Sequence, residues 1–155
     1  MLSSTSKYAF RALAGLTQLG SEKAVLARTL AETVGVPFLY LSKILGNLTK
    51  AGFLHAGRGP KGGYRLARPP DEILLIDIVE LFDGIKARPD CFFGGGDDRQ
   101  CSDDTPCSAH EAWKKIRESY IEFMESKTIA DIAGPALPDG APAPMIPPGK
   151  AVERK

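Results

Sequence analysis

Residues 37–68 read PFLYLSKILGNLTKAGFLHAGRGPKGGYRLAR, and the period of the pattern changes halfway along. Up to Gly52 the large apolar residues recur at helical spacing (Phe38, Leu41, Ile44 with Leu45, Leu48) behind Pro37, whose fixed φ suits a helix start. Beyond Gly52, residues 53–56 and 64–66 read as two short strands. Between them, Arg58-Gly59-Pro60-Lys61-Gly62-Gly63 is a slim cationic turn. The stretch is therefore a helix leading directly into a β-hairpin.

The upstream sequence supplies two more helices. Behind Ser6, taken as an N-cap, KYAFRALAGLTQLG sets Tyr8, Leu13, Leu16 and Leu19 near one face before Gly20. VLARTLAETVGV follows, with Leu26, Leu30 and Val34 as its core row and Gly35 as its stop. Helix, glycine turn, helix is the helix-turn-helix layout, in which the second member enters a DNA major groove. Its outward residues are Tyr40, Ser42, Lys43, Asn47 and Lys50, carrying hydroxyl, amide and cationic groups that suit base edges and phosphates. An arginine at the hairpin tip, Arg58, with Lys61 beside it, suits the narrow minor groove, where the potential is most negative. The glycine-rich tip lacks the GxxxxGK[ST] spacing and a following helix, so it is no nucleotide-phosphate loop. The expected fold is mainly α with a small β-hairpin wing: a winged helix-turn-helix followed by a long C-terminal dimerisation helix.

Charge divides in the same place. Residues 1–68 carry ten Lys/Arg against Glu22 and Glu32, whereas residues 69–155 carry ten basic and seventeen acidic residues. A basic half fits a polyanion such as duplex DNA. No stretch is apolar for long enough to span a membrane, and the N-terminus lacks the apolar core of a secretory signal. The expected compartment is the cytoplasm. HExxH, a nucleophile elbow and paired carboxylates in an apolar setting are all missing, so the sequence does not read as an enzyme.

The acidic half opens with an apolar helix over residues 73–82, expected to pack beside the wing and to end near Gly84. A second helix follows behind Ser108 as cap, SAHEAWKKIRESYIEFMESK, with Trp113, Ile116, Tyr120 and Phe123 or Met124 in one stripe. With little of its own chain to cover it, that stripe reads as a homodimer interface, which matches a pseudo-palindromic operator. Thr128 caps a short last helix, and the 22 residues from Gly134, with six prolines, read as a disordered tail. The resulting divisions are 1–84 (winged helix-turn-helix), 85–107 (cysteine loop), 108–133 (dimerisation and terminal helices) and 134–155 (tail).

All three cysteines fall in that loop, spaced Cys91-x9-Cys101-x5-Cys107-x2-His110. An odd number of cysteines without an export signal argues against a disulfide framework. Thiolates with an imidazole suit either an iron–sulfur cluster or structural zinc, and spacing alone leaves that choice open. A cluster-free thiol-redox repressor would use the same cysteines.

Residues 40–73, YLSKILGNLTKAGFLHAGRGPKGGYRLARPPDEI, resemble the helix and wing of the Rrf2 family of bacterial transcription regulators. The resemblance extends over residues 7–133. Its most specific parts are GRGPKGGYRL and, after the loop, CSAHEAW, which is similar to the cluster-binding branch of IscR-, NsrR- and RirA-like members. The resemblance implies that Cys91, Cys101 and Cys107 ligate an iron–sulfur cluster whose state controls promoter binding. It likewise implies that Arg58 enters the minor groove and that Tyr40, Ser42 and Lys43 occupy recognition positions. The NsrR-like branch takes a carboxylate from the partner's first helix, but no Asp, Glu, His or Cys precedes Glu22 here. His110, placed as in IscR-like members, is therefore the expected fourth ligand, and 2Fe–2S is favoured with 4Fe–4S open. The nine-residue first gap is longer than the five or so of IscR-like loops. Iron–sulfur supply, nitric oxide, iron and redox state all remain candidate signals.

Overall fold

Ser3, in extended backbone, opens the first helix, α1 (Ser4–Gln18), by accepting the N–H of Ser6 at 3.1 Å. The helix thus begins a turn before the expected cap, and Ser6 is instead fully buried inside it. A computed structural model describes residues 2–20, 23–57, 59, 62–86 and 102–134, so the expected tail, residues 135–155, lies outside the described residues. α2 (Ala27–Val34) stops at Gly35, whose left-handed backbone (φ 63°) closes the helix onto the Ala31 carbonyl. Leu30 and Ala31 fill its buried face. Leu26, expected in the core row, is 52% exposed because it precedes the helix in extended backbone.

α3 (Phe38–Lys50) buries Leu41, Ile44, Leu45 and Leu48, as its spacing predicts. Phe38 stands one turn ahead of that row and is exposed, with the Arg28 guanidinium 5.3 Å above its ring. The hairpin follows: β1 (Leu54–Gly57) pairs antiparallel with β2 (Gly63–Leu66), from Leu54↔Leu66 at the root to Gly57↔Gly63 near the tip. A bridge ties the hairpin back to the residues before α2: Val25 and Tyr64 exchange N–H···O bonds of 2.9 and 2.8 Å. Gly63 permits that approach. At φ +144°, a Cβ there would lie 2.6 Å from the Val25 carbonyl oxygen.

After a 3₁₀ turn at Pro70–Glu72 come α4 (Leu75–Asp83), α5 (His110–Ser126) and α6 (Ile129–Ala133). Thr128 caps α6 as expected, in a reciprocal box with Asp131. Ser108 does not cap α5. The His110 N–H bonds the Cys107 carbonyl at 3.0 Å, which puts Ser108 inside a turn and leaves Ala109 at the cap position without a side-chain bond.

One apolar core gathers around α1. Ala9, Ala12, Leu13 and Leu16 are sealed by α2, α3, β2, α4 and α6, and Met124 of α5 joins them. Burying each such leucine stabilises the fold by roughly 1.5–3 kcal/mol. α4 packs chiefly on α1 and α5. It meets the hairpin root across an open cleft of about 510 Å³ lined by Phe53, Arg68, Asp77, Glu80 and Leu81. The architecture is mainly helical with a two-stranded antiparallel hairpin, a winged helix-turn-helix. Among the described residues no helix is long and apolar enough to cross a membrane.

The end of α4 is pinned to the start of α1. Asp83 Oδ2 accepts the Ser3 N–H at 3.1 Å and the Ser6 hydroxyl at 2.8 Å. Asp83→Ala leaves the buried Ser6 hydroxyl without its acceptor and should lower stability by about 1–3 kcal/mol in chemical denaturation. Gly63→Ala meets the Val25 backbone and should cost a similar amount, about 1–3 kcal/mol for a strained backbone, with faster amide exchange at Val25 and Tyr64.

Candidate nucleic-acid interface and cysteine loop

The turn between α2 and α3 is only Gly35-Val36-Pro37. Val36 is buried, and the Pro37 carbonyl takes the N–H groups of Tyr40 and Leu41 at 3.0 and 2.9 Å. The recognition helix is thereby fixed by a buried anchor at its entry and by its four-residue apolar row. Its other face runs through Leu39, Ser42, Lys43, Gly46, Asn47 and Lys50. Lys43, Asn47 and Lys50 are exposed. A Cβ on Gly46 would meet nothing within 4 Å, so the strip is thin at its middle.

Two of the expected base-reading groups are partly engaged. The Ser42 hydroxyl donates back to the Phe38 carbonyl at 2.8 Å, which leaves its lone pairs to accept. Tyr40 stands at the seam with α1. Its hydroxyl is 2.7 Å from Thr5 Oγ1, and its ring packs edge-on to Tyr8 at 5.5 Å. Arg58 and Lys61 lie outside the described residues. On the wing itself, Arg65 and His55 form an exposed cross-strand pair. Arg28, Arg65 and Leu39 are surface groups on this side that the sequence reading left out. Helical spacing from Lys43 points to Leu39, and strand alternation from Tyr64 points to Arg65.

The loop between α4 and α5 is anchored at both described ends. At its start, Gly84 (φ 60°) turns the chain off α4, and the Lys86 N–H bonds Glu80 Oε2 at 2.9 Å. The Ile85 carbonyl accepts from Arg117 at 2.6 Å, and the Lys86 ammonium pairs with Glu125 of α5. The Glu125 hydrogen bond raises the lysine's pKa above its ordinary value.

At its far end, residues 102–110 fold into successive turns onto the mouth of α5. Thr105 N–H meets both the carbonyl and the hydroxyl of Ser102. Cys107 is half-buried, and one turn holds it beside His110. His110 Nε2 lies 3.0 Å from Asp103 Oδ1, to which Lys114 also donates at 2.9 Å. Lys114 first, and then His110, hold the exposed Asp103 carboxyl below the usual carboxylate range. A carboxylate behind one imidazole nitrogen is the partner that orients metal-binding histidines. A thiol and an oriented imidazole on one turn are donors of the kind that iron or zinc takes. Cys91 and Cys101 lie outside the described residues.

The stripe along α5 splits in two. Met124 is buried and Tyr120 half-buried against the head, while Ile116 and Phe123 are 60% and 50% exposed. The apolar surface of α5 therefore faces both ways.

Comparison with known proteins gives a consistent picture. The family model Rrf2, described as an iron-dependent transcriptional regulator, matches residues 2–135. A helix-turn-helix-type transcriptional regulator of Aquifex aeolicus is 32% identical over 134 residues, covering 85% of this chain and 90% of that one. Among solved structures, CymR, the global cysteine regulator of B. subtilis, superposes with a TM-score of 0.69 at 25% identity, covering 86% of this chain and 95% of that one. IscR of T. potens superposes with a TM-score of 0.65 at 29% identity, covering 85% of each.

Proposed function

The chain belongs to the Rrf2 family of DNA-binding transcriptional regulators, and from that premise we propose that it is a cytoplasmic homodimer whose promoter binding is set by an iron–sulfur cluster held by Cys91, Cys101, Cys107 and His110. The family is one of regulators, not enzymes. What carries the cluster reading is the loop's donor chemistry. Every cysteine of the chain lies within seventeen residues, and the last of them shares a hydrogen-bonded turn with an imidazole already backed by Asp103. When bound, a cluster supplies one-electron redox chemistry and lability toward iron, nitric oxide and oxidants. The protein's part is to hold the donors together, neutralise charge with Lys114 and fasten the loop to α4 and α5. A 2Fe–2S centre suits four protein ligands, and a 4Fe–4S centre remains open.

The DNA-reading face on this proposal is the exposed strip of α3 with Ser42, Lys43 and Asn47. Tyr40 sits at its edge, and Arg58 and Lys61, which fall in sequence between the two strands of the wing, are assigned to the same face. The exposed Ile116 and Phe123 form the contact with a second copy, which presents two recognition helices to a pseudo-palindromic operator.

On an operator selected from random duplexes, affinity should fall steeply with salt as phosphate contacts release counterions. Arg58→Ala should lower specific affinity by about 1–3 kcal/mol, as for loss of one good groove contact, with metal content unchanged. Weak, salt-indifferent binding by a monomer would overturn the DNA-binding reading, and full operator affinity in Arg58→Ala alongside its loss in Lys43→Ala would remove the wing from the interface.

For the cluster, the decisive measurement is the absorption spectrum and iron, sulfide and zinc content of protein purified without oxygen. Visible charge-transfer bands are expected, bleached by Cys→Ala at residue 91, 101 or 107. His110→Ala should alter reduction potential or cluster lifetime more than melting temperature. A colourless protein holding one zinc per chain, or holding no metal and switching by reversible thiol oxidation, would overturn this reading.

A further inference from the structure

Leu39, in the first turn of α3, is the most exposed large apolar side chain among the described residues, at 77%. Its two neighbours are both partly covered: Phe38 lies under Arg28 at 5.3 Å, and Tyr40 is held by Thr5 and Tyr8. Leu39 belongs to neither contact. By helical spacing it heads the strip that continues through Ser42 and Lys43 to Asn47 and Lys50, on the face opposite the buried row. Its surroundings rule out a second core. Lys43 is one turn along, Arg28 is on the adjoining helix, and the whole N-terminal 68 residues carry ten cations against two carboxylates.

A leucine set among cations on a thin strip needs a partner that is anionic overall yet offers a small apolar group at the right depth. The major groove of duplex DNA provides one such group, the 5-methyl of thymine, and it stands at the groove floor beside the hydrogen-bonding edges. We propose that Leu39 is a specificity-determining residue that reads a thymine methyl in each operator half-site. The assignment rests on the DNA-binding reading of α3, and it adds apolar recognition to the polar contacts named there.

The test replaces thymine by deoxyuridine, which removes the methyl and nothing else, one symmetric pair of positions at a time in the selected operator. The full chain and Leu39→Ala are titrated on each duplex. At one pair, the unaltered chain should lose about fourfold per half-site, the value of one buried methyl. Leu39→Ala should bind the thymine operator more weakly and no longer distinguish the two duplexes at that pair. Its melting temperature should be unchanged, since the side chain is exposed.

Uracil effects that are the same in both proteins at every position overturn the assignment. So does a Leu39→Ala protein whose oligomeric state has changed, because a second copy would then be what covers the leucine. If the unaltered chain binds no duplex at all, the DNA-binding reading itself has failed. If it binds and uracil makes no difference, only the assignment to Leu39 has failed.

Discussion

The fold hangs on the burial of α1 along nearly its whole length. Ser6, Ala9, Phe10, Ala12, Leu13, Ala14, Gly15 and Leu16 are all buried, and the small residues among them let neighbouring helices come close. At Gly15 the limit is reached: a Cβ there would fall 2.6 Å from a Val34 methyl. A helix surrounded in this way fixes the mutual placement of α2, α3, α4, α6 and β2, since each packs on a different part of one rod. Its ends are held from far along the chain. Asp83 takes the first turn, and the Gln18 amide donates to the Ala133 carbonyl at the other end. The basic half and the start of the acidic half are therefore one mechanical unit despite their opposite charge.

Much of this was legible in the sequence because periodicity reports burial directly. The row Leu41, Ile44, Leu45, Leu48 and the stops at Gly35 and Gly84 are read from spacing and glycine alone. The misses have two causes, contacts from residues remote in sequence and local geometry at helix ends. Ser6 looks like a cap, yet it bonds Asp83 seventy-seven residues away, and Ser3 takes the cap instead. Ser108 looks like a cap, yet the Cys107–His110 turn absorbs it. Leu26 and Phe38 fit an amphipathic pattern, but each lies at a helix edge outside the core and is exposed. Tyr40 reads as a base contact from its type and position, and nothing local announces that Thr5 meets its hydroxyl.

On the proposed function, the same remote contacts define how a change in the cysteine loop can reach DNA. The loop leaves α4 at Gly84, immediately after Asp83. Asp83 grips Ser3 and Ser6, Thr5 lies between those two, and Thr5 meets Tyr40 in the recognition helix. Each link is a direct hydrogen bond or a neighbour on one rigid turn. A path of contacts becomes regulation only if some element has two states that both sites bias. The α1 rod is too tightly packed to be that element. On the proposed function the cysteine loop is the better candidate, because a bound metal would hold its donors together.

This arrangement also constrains the size of the effect. A loop that switches can alter DNA affinity only by the difference in its interaction with the two placements of α3. The route through Asp83 and Thr5 consists of a few hydrogen bonds, each worth about 0.5–1.5 kcal/mol net. Transmission within one subunit therefore supports modest factors. Two subunits bound to one operator double the exponent, because both recognition helices must be placed at once. The exposed Ile116 and Phe123 lie on α5, the helix whose first turn carries His110, so the proposed dimer contact shares a helix with one of the proposed metal donors. On that proposal a shift at the mouth of α5 would be felt along two routes, through α4 into its own head and across the pair into the spacing of the two heads. The second route needs no flexibility in the head, whose core leaves little room for any.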